Sequence, residues 1–437
     1  MIRPIGKNTK LACFEKETTE GVYVNPTREI PFKSCDLKKV MKTEEDTSNI
    51  GEVFTSDLIT MGYDLTGNIE MNVYPETIAD ILFFTLGKSK NDNPIKGVLI
   101  LKYVGDEKGA RYKIYDNAGD ISLLFETYDG TSWNSLFDIV IENLTLTQIK
   151  TAIETATSNV LVNINGSGAG TDFKIMVDPV IIKNEFENVL GLIFARKSTS
   201  SYKSHNIYAS NSALDSIPSF SILVDKNYGA GKCFGYAGAK INTLSLSYAV
   251  KTFVTSSISV RAKEEYSDKA DTSADFEMTN PFVTNQVEVY LDGVRMSDIK
   301  DFKLDINNNM YIDEAVGLDT YNTQDRQGGV INVSGTANLT VDDTDDTDRT
   351  ATQRINEKYV NNEAIDLLLI MNTSILLETD IYNKVIIYIP KIKLSDGTVS
   401  IGGGERLTLS FAGLAVKSNL YDRHIDVFVN NKKITDY

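Results

Sequence analysis

The sequence has little of what most enzymes depend on. His205 and His424 are its only histidines, and neither lies near a recognisable motif. A histidine-based zinc site or a serine–histidine–aspartate triad therefore has almost nothing to draw on. The three cysteines, Cys13, Cys35 and Cys233, include no CxxC pair and make no disulfide framework. Cys35, beside an expected strand, and Cys233, between glycines, read as small packing residues rather than nucleophiles. Basic charge is also scarce: 44 Lys and Arg against 60 Asp and Glu leave a net charge of −16. That balance disfavours a protein that grips nucleic acid by its phosphates. No run approaches the roughly 20 apolar residues of a membrane helix. The opening MIRPIGKNTK lacks the apolar stretch of a signal peptide, so no membrane association is expected.

What is present is ordinary globular material, 42% hydrophobic and 24% charged over 437 residues. Length suggests two to four domains at roughly 100–200 residues each. Most of the chain alternates apolar and polar residues with period 2, the mark of half-buried strands. In KINTLSLSY (240–248), Ile241, Leu244 and Leu246 share one face while Ser245 and Ser247 take the other. Similar runs occur at 67–73, 257–261, 330–340, 384–393 and 406–412. Three helices are expected. PETIADILFFTL (75–86) opens on Pro, carries Glu76 in its first turn and ends at Gly87. NNEAIDLLLIM (361–371) and LTLTQIKTAIETA (144–156) show comparable caps and apolar stripes.

The order strand, long polar loop, strand, helix and strand pair occurs twice. The first loop spans 39–58 and the second 307–327. We read a mainly β fold: two tandem β-sandwich units with one helix each, plus a small α+β domain inserted in the first. The expected boundaries are 1–90 with 204–267 for the first unit, 91–203 for the insertion and 276–417 for the second unit. A polar linker covers 268–275, and 418–437 forms a terminal hairpin or arm. The insertion includes expected strands VLVNING and DFKIMV and the single tryptophan, Trp133.

Motifs with possible chemistry have plainer readings. GSGAG (166–170) resembles part of a dinucleotide loop but precedes a strand-like TDFKIMV, so it reads as a turn. DDTDDTDR (342–349) and DINNNMYIDE (305–314) could offer carboxylates to Ca²⁺, yet neither keeps EF-hand spacing. Glu44, Glu45 and Asp46 in the first loop, and Asp313, Glu314, Asp319 and Asp325 in the second, could in principle hold a glycosidase pair. They read instead as loop surface, either solvated or meeting another subunit. No cofactor, metal or catalytic residue is expected.

Four segments together carry a family resemblance. CFEKETTEGVYVNPTREIPFKSCDL, GNIEMNVYPETIADILFFTLG, GAKINTLSLSYAVKTFVTSSISVRAKE and TNPFVTNQVEVYLDGVRMSDIKDFKLDINNN follow, in order, the pattern of the tail tube proteins of long-tailed bacteriophages. The resemblance implies a non-enzymatic virion protein whose subunits close their inner sheets into a β-barrel ring. Rings stack into a tube that conducts viral DNA without binding it specifically. A tandem chain implies trimeric rings with pseudo-sixfold symmetry. It also implies partners in a tape measure protein and in tail terminator or tip proteins, with assembly in the host cytoplasm. Lys42, Glu44, Glu45, Asp46, Asp313, Glu314, Asp319 and Asp325 would then make inter-ring contacts, and the lumen would be net acidic. The insertion would project outward, with Trp133 as a possible binding residue. The alternative is a carbohydrate- or host-surface-binding β-sandwich protein.

Overall fold

The computed structural model describes residues 9–45, 58–209, 216–226, 233–270, 279–297, 299–310, 312–313, 322–323, 329–338, 351–400 and 408–433. β1 (Lys10–Lys16), β2 (Ser34–Cys35), β3 (Lys38–Glu45) and β4 (Leu58–Asn72) lead to α1 (Pro75–Leu86) and β5 (Gly87–Asp92). Then come β6 (Ile95–Tyr103), β7 (Gly109–Asn117), β8 (Asp120–Tyr128), β9 (Trp133–Val140), α2 (Leu146–Ala156), β10 (Val160–Gly166), β11 (Val180–Lys183) and β12 (Gly191–Arg196). The chain returns through β13 (Lys203–Ala209), β14 (Phe220–Asp225), β15 (Cys233–Ala249), β16 (Thr255–Arg261) and β17 (Glu264–Lys269). It continues as β18 (Val287–Leu291), β19 (Val294–Arg295), β20 (Ile299–Asn307), β21 (Ile312–Asp313), β22 (Asn322–Thr323) and β23 (Val330–Asn338). Last are α3 (Ala351–Val360), β24 (Ala364–Glu378), β25 (Ile381–Ser400), β26 (Thr408–Ala415) and β27 (Asp426–Asn431). The fold is mainly β, as the period-2 patterning requires.

Two strand layers enclose the main core. The inner layer runs β3–β4–β16–β15–β20–β23–β26–β25, every neighbouring pair antiparallel. The outer layer has two parts, β1–β14–β15–β17 and β18–β24–β25–β27–β13–β5. β15 and β25 serve both layers. β15 pairs with β17 up to Ala237 and with β16 from Lys240. The turn between layers falls at Gly238, whose φ of +66° suits a residue without a Cβ. In β25 the passage falls near Pro390, which lacks the N–H a continuous ladder needs, between the β27 pairing at Tyr388 and the β26 pairing at Ile392. The order in the outer layer (β1, β14, β15, β17) is the order of β18, β24, β25 and β27. The order in the inner layer (β3, β4, β16, β15) is that of β20, β23, β26 and β25.

α1 plugs this core. All of its residues are buried, and Gly87 closes it in the left-handed conformation with its N–H bonded to Phe83 O. Phe84 packs on Phe14 and Phe220. Buried Asp80 is paired with Arg28 and, at 3.4 Å, with Lys433. The second expected helix is displaced: residues 351–360 form α3, and 364–378 form β24 instead. The reason is burial on both faces. Ile365, Leu367, Leu369 and Met371 enter the main core, while Leu368 and Ile370 enter a separate cluster on the other side. A strand buried twice loses its alternation and reads like a helix segment. Asp426–Asn431, expected within a hairpin or arm, is one strand paired on both sides, with β25 and β13.

The segment between β5 and β13 forms two sheets, β10–β6–β12 and β11–β7–β8–β9. With α2 they enclose their own core around Leu99, Phe125, Ile149 and Ile193. Residues 170–179, expected as a strand in part, are a 3-10 turn followed by irregular chain, and β11 starts only at Val180. β6 is also buried twice. Its Leu99, Leu101 and Tyr103 face the segment's own core, whereas Val98 and Ile100 meet Leu368, Ile370, Ile386 and Tyr388 of the outer layer.

Candidate assembly interface

The inner layer ends in two unpaired edges. β25 from Leu394 to Ser400 is paired through β26, and among the described residues no strand covers its other side. At the far end, β2 and β3 pair among the described residues only with β4. Between these ends the layer contains one junction of a revealing kind. β15 joins β20 from Thr243↔Asn307 to Ala249↔Asp301, so the counterpart of β25 in the first half pairs with the counterpart of β2–β3 in the second. Exposed edges of this type are templates for pairing with another chain.

The inner layer's face away from the core is small and polar. Ser245, Ser247, Ser257, Ser259, Asn68, Asn332 and Ser334 alternate with the buried residues. The registers put Asp64, Glu70, Asp301, Asp305 and Asp396 on this face against Lys38, Lys42, Arg261, Lys303 and Lys393, with Lys303 on Asp305 at 2.7 Å and Lys42 on Asp64 at 3.3 Å. The acid excess of the chain is therefore not concentrated here.

The first long loop is not a loop throughout. Lys38–Glu45 pairs with Thr66–Leu58 as a hairpin, with a bulge between Lys42 and Thr43. At about 3.3 Å per residue this ladder extends the sheet by roughly 26 Å. Lys42 is ion-paired with Asp64 at 3.3 Å, and Lys39 lies over the Tyr63 ring at 3.8 Å. Glu44 and Glu45 are exposed on β3, and Val40, Met41 and Ile59 are exposed beside them. Asp46 lies outside the described residues. In the second long segment, Asp313 sits on β21 opposite Asn322 of β22. Glu314, Asp319 and Asp325 lie outside the described residues. The registers place the Glu45 end of β3 and the Asn307 end of β20 at the same end of the inner layer. Sequence reasoning missed the β25 edge, for which the only signal is a 20-residue strand longer than any single partner.

The inserted segment is fastened to the outer layer by buried polar contacts as well as apolar ones. Lys102 Nζ lies 2.5 Å from Asp366 and 3.0 Å from Asp292, and it donates to Asn188 O. Burial alone would lower the Lys102 pKa, but the two carboxylates outweigh it and raise it. Burial raises Asp366 to about 6 despite the Lys102 ammonium. Glu187 accepts from Lys391 Nζ, Ser418 Oγ and the N–H groups of Asn419 and Leu420. Burial would raise its pKa, yet these donors hold it below the usual range. Lys384 Nζ donates to Asn165 Oδ1 at 3.0 Å, and Leu190 N–H donates to the Tyr388 hydroxyl at 2.9 Å.

Trp133 opens β9. Its ring is covered by the Arg111 guanidinium at 4.1 Å and flanked by Tyr128, while Arg111 is also held by Glu126. That is a packed arrangement rather than an open aromatic platform. Among the described residues no group of His, Cys, Asp or Glu is placed to hold a metal ion, and no helix is long and apolar enough to cross a membrane. GSGAG packs against its own segment: a Cβ on Gly170 would lie 1.8 Å from Ile141 O.

Open strand edges of this kind are surfaces on which another strand can pair. The comparison with curated proteins returns no match. The family model described as phage tail tube protein matches residues 8–415, nearly the whole chain, and the protein belongs to that family.

Proposed function

We propose that this structural tail protein forms three-chain rings that stack into the tube through which viral DNA leaves the particle. The observation that carries the reading is the β15–β20 junction. It joins two halves with the same strand order, and it leaves unpaired the same two elements that it joins. Repeating it between chains pairs β25 of one copy with β2–β3 of the next. Such a head-to-tail contact makes a ring when its rotation closes. The two halves are then copies of one unit. A single chain closing on itself would give a barrel of ~8 strands, which side chains fill, whereas three chains give ~24, beyond the ~16–18 that leave a water-filled channel.

In this arrangement the polar face lines the lumen. Hydroxyl and amide groups with nearly balanced charge offer DNA no cationic grip, so passage does not depend on a strongly acidic wall. The inserted segment lies beyond the outer layer, outside the tube. Its partners in the virion would be further copies of this chain, a tape measure protein within the lumen and terminator or tip proteins at the ends, joined in the host cytoplasm. The role is non-enzymatic. Electron microscopy of purified protein with an initiator complex tests it: rings and tubes are expected, and compact monomers under every condition would refute it. Removing residues 43–49 should leave folded rings that do not stack.

A further inference from the structure

The two strands that serve both layers each cross between them at a bend, and a buried carboxylate sits at each bend. At the Gly238 bend of β15 it is Glu17. Its oxygens accept from the Gly238 and Gly21 N–H groups at 2.8 and 2.9 Å and from the Ser219 and Ser221 hydroxyls, both at 2.8 Å. Glu17 directly follows β1, so the first half supplies this residue itself. A buried carboxylate is tolerated only when its lone pairs are bonded, and it thereby ties together the segments that carry its donors.

The second half turns differently. β18 passes through Asp292–Gly293 directly into β19, and the carboxylate at the Pro390 bend of β25 is Glu187 of the insertion. Its side chain is 2% exposed. It accepts from the ammonium of Lys391, the residue after Pro390, at 2.5 Å. It also accepts from the Ser418 hydroxyl at 2.8 Å and from the Asn419 and Leu420 N–H groups at 2.9 and 3.2 Å. Residues 418–420 lie between β26 and β27, the strands that pair with β25 after and before its bend. Leu420 packs against the insertion's own core. On the other side of Pro390, the Tyr388 hydroxyl accepts from the Leu190 N–H. One short stretch of the insertion, 187–190, thus grips β25 on both sides of its bend.

β25 leaves this bend as the open edge Leu394–Ser400. We propose that the insertion is a brace for that edge: Glu187 fixes the β25 bend and so holds the edge in the geometry that β2–β3 of the next chain must meet. The proposal rests on the ring reading and gives the insertion a part in it, with Glu187 as a positioning residue. Glu17 does the same for the junction within the chain, where β15 beyond its bend meets β20.

Hydrogen exchange on the full chain before assembly, with electron microscopy of the assemblies, tests it. Glu187→Gln keeps the shape of the side chain and removes its charge. It should raise exchange over residues 391–397 and lower the yield of rings, each by about tenfold or more, the scale of a lost hydrogen bond between charged groups. Trp133 fluorescence should stay that of wild type, since the insertion's own core is untouched. Lys391→Met leaves Glu187 its hydroxyl and N–H donors, cuts only the tie to the bend, and should give the same pattern. Asp178→Ala, exposed beside β11 on the insertion's other sheet, should change neither readout. Unchanged exchange over 391–397 in either folded variant would overturn the proposal, as would a loosened bend with a wild-type yield of rings. Wild-type protein that forms no rings would refute the ring reading instead, and exchange on the unassembled chain would still decide whether Glu187 holds the bend.

Discussion

Replacing Lys102 by Met is the sharpest perturbation of the contact between the inserted segment and the outer layer. The ammonium is 5% exposed, Asp366 0% and Asp292 13%. Removing the cation leaves two facing carboxylates in a water-poor site and leaves Asn188 O without this donor. Breaking a buried pair in this way costs about 3–5 kcal/mol, because Asp366 loses the ammonium it is bonded to, even though Lys358 stays 3.9 Å from Asp292. The penalty should shrink as pH falls. Asp366 already has a raised pKa, so its folded form prefers the proton, and without Lys102 that preference grows. The contribution therefore improves as pH drops from 7 through about 6. Adding Asp366→Leu should recover much of the loss, giving a coupling of about 2 kcal/mol or more in a double-mutant cycle. Urea denaturation read by Trp133 fluorescence and limited proteolysis of the connections near residues 93 and 200 would measure it. A Lys102→Met variant within about 0.5 kcal/mol of wild type at pH 7, the range of an ordinary surface change, would refute the buried triad.

Other outcomes follow from the same geometry. Gly238→Ala should destabilise by about 1–3 kcal/mol, because the residue sits at a φ of +66° and a Cβ there would lie 2.7 Å from Lys263 Cβ; an unchanged denaturation midpoint would mean β15 does not bend there. Burial lowers the Lys384 pKa from its ordinary 10.5 to about 8, against a smaller opposing effect of Glu288. The folded chain thus favours the neutral amine, and stability from this group is full above pH 10.5 and declines as pH falls through about 8. Wild type should gain about 2 kcal/mol relative to Lys384→Met between pH 7 and 9.5, and parallel pH profiles of the two proteins would contradict this.

The legible parts of the fold are those with one buried face or a strong local signal. α1 has Pro75 at its start, Glu76 in its first turn and Gly87 at its end, and its bounds are those read from sequence. The 240–248 strand alternates because only one of its faces meets the core. The misread segments fail this condition in opposite senses. Leu367–Met371 is buried on both faces, so no polar residue marks its period. Lys38–Glu45 is exposed along nearly its whole length, so burial imposes no pattern, and a hairpin reads as a loop. The open edge at Leu394–Ser400 is marked in sequence only by the length of its strand, because an edge is defined by what pairs beside it. The site residues divide likewise. Lys42, Glu44 and Glu45 fall together on one ladder, while the β15–β20 junction depends on strands distant in sequence coming alongside each other.

The most direct measurement is a cryo-EM map of the assembled tube at a resolution that traces strands. The account predicts three chains per ring, with Leu394–Ser400 of each chain laddered to the β2–β3 edge of its neighbour and the Ser257/Ser259 face turned to the lumen. A map in which those edges lie apart, or in which the two halves of a chain occupy non-equivalent positions around the axis, would contradict it.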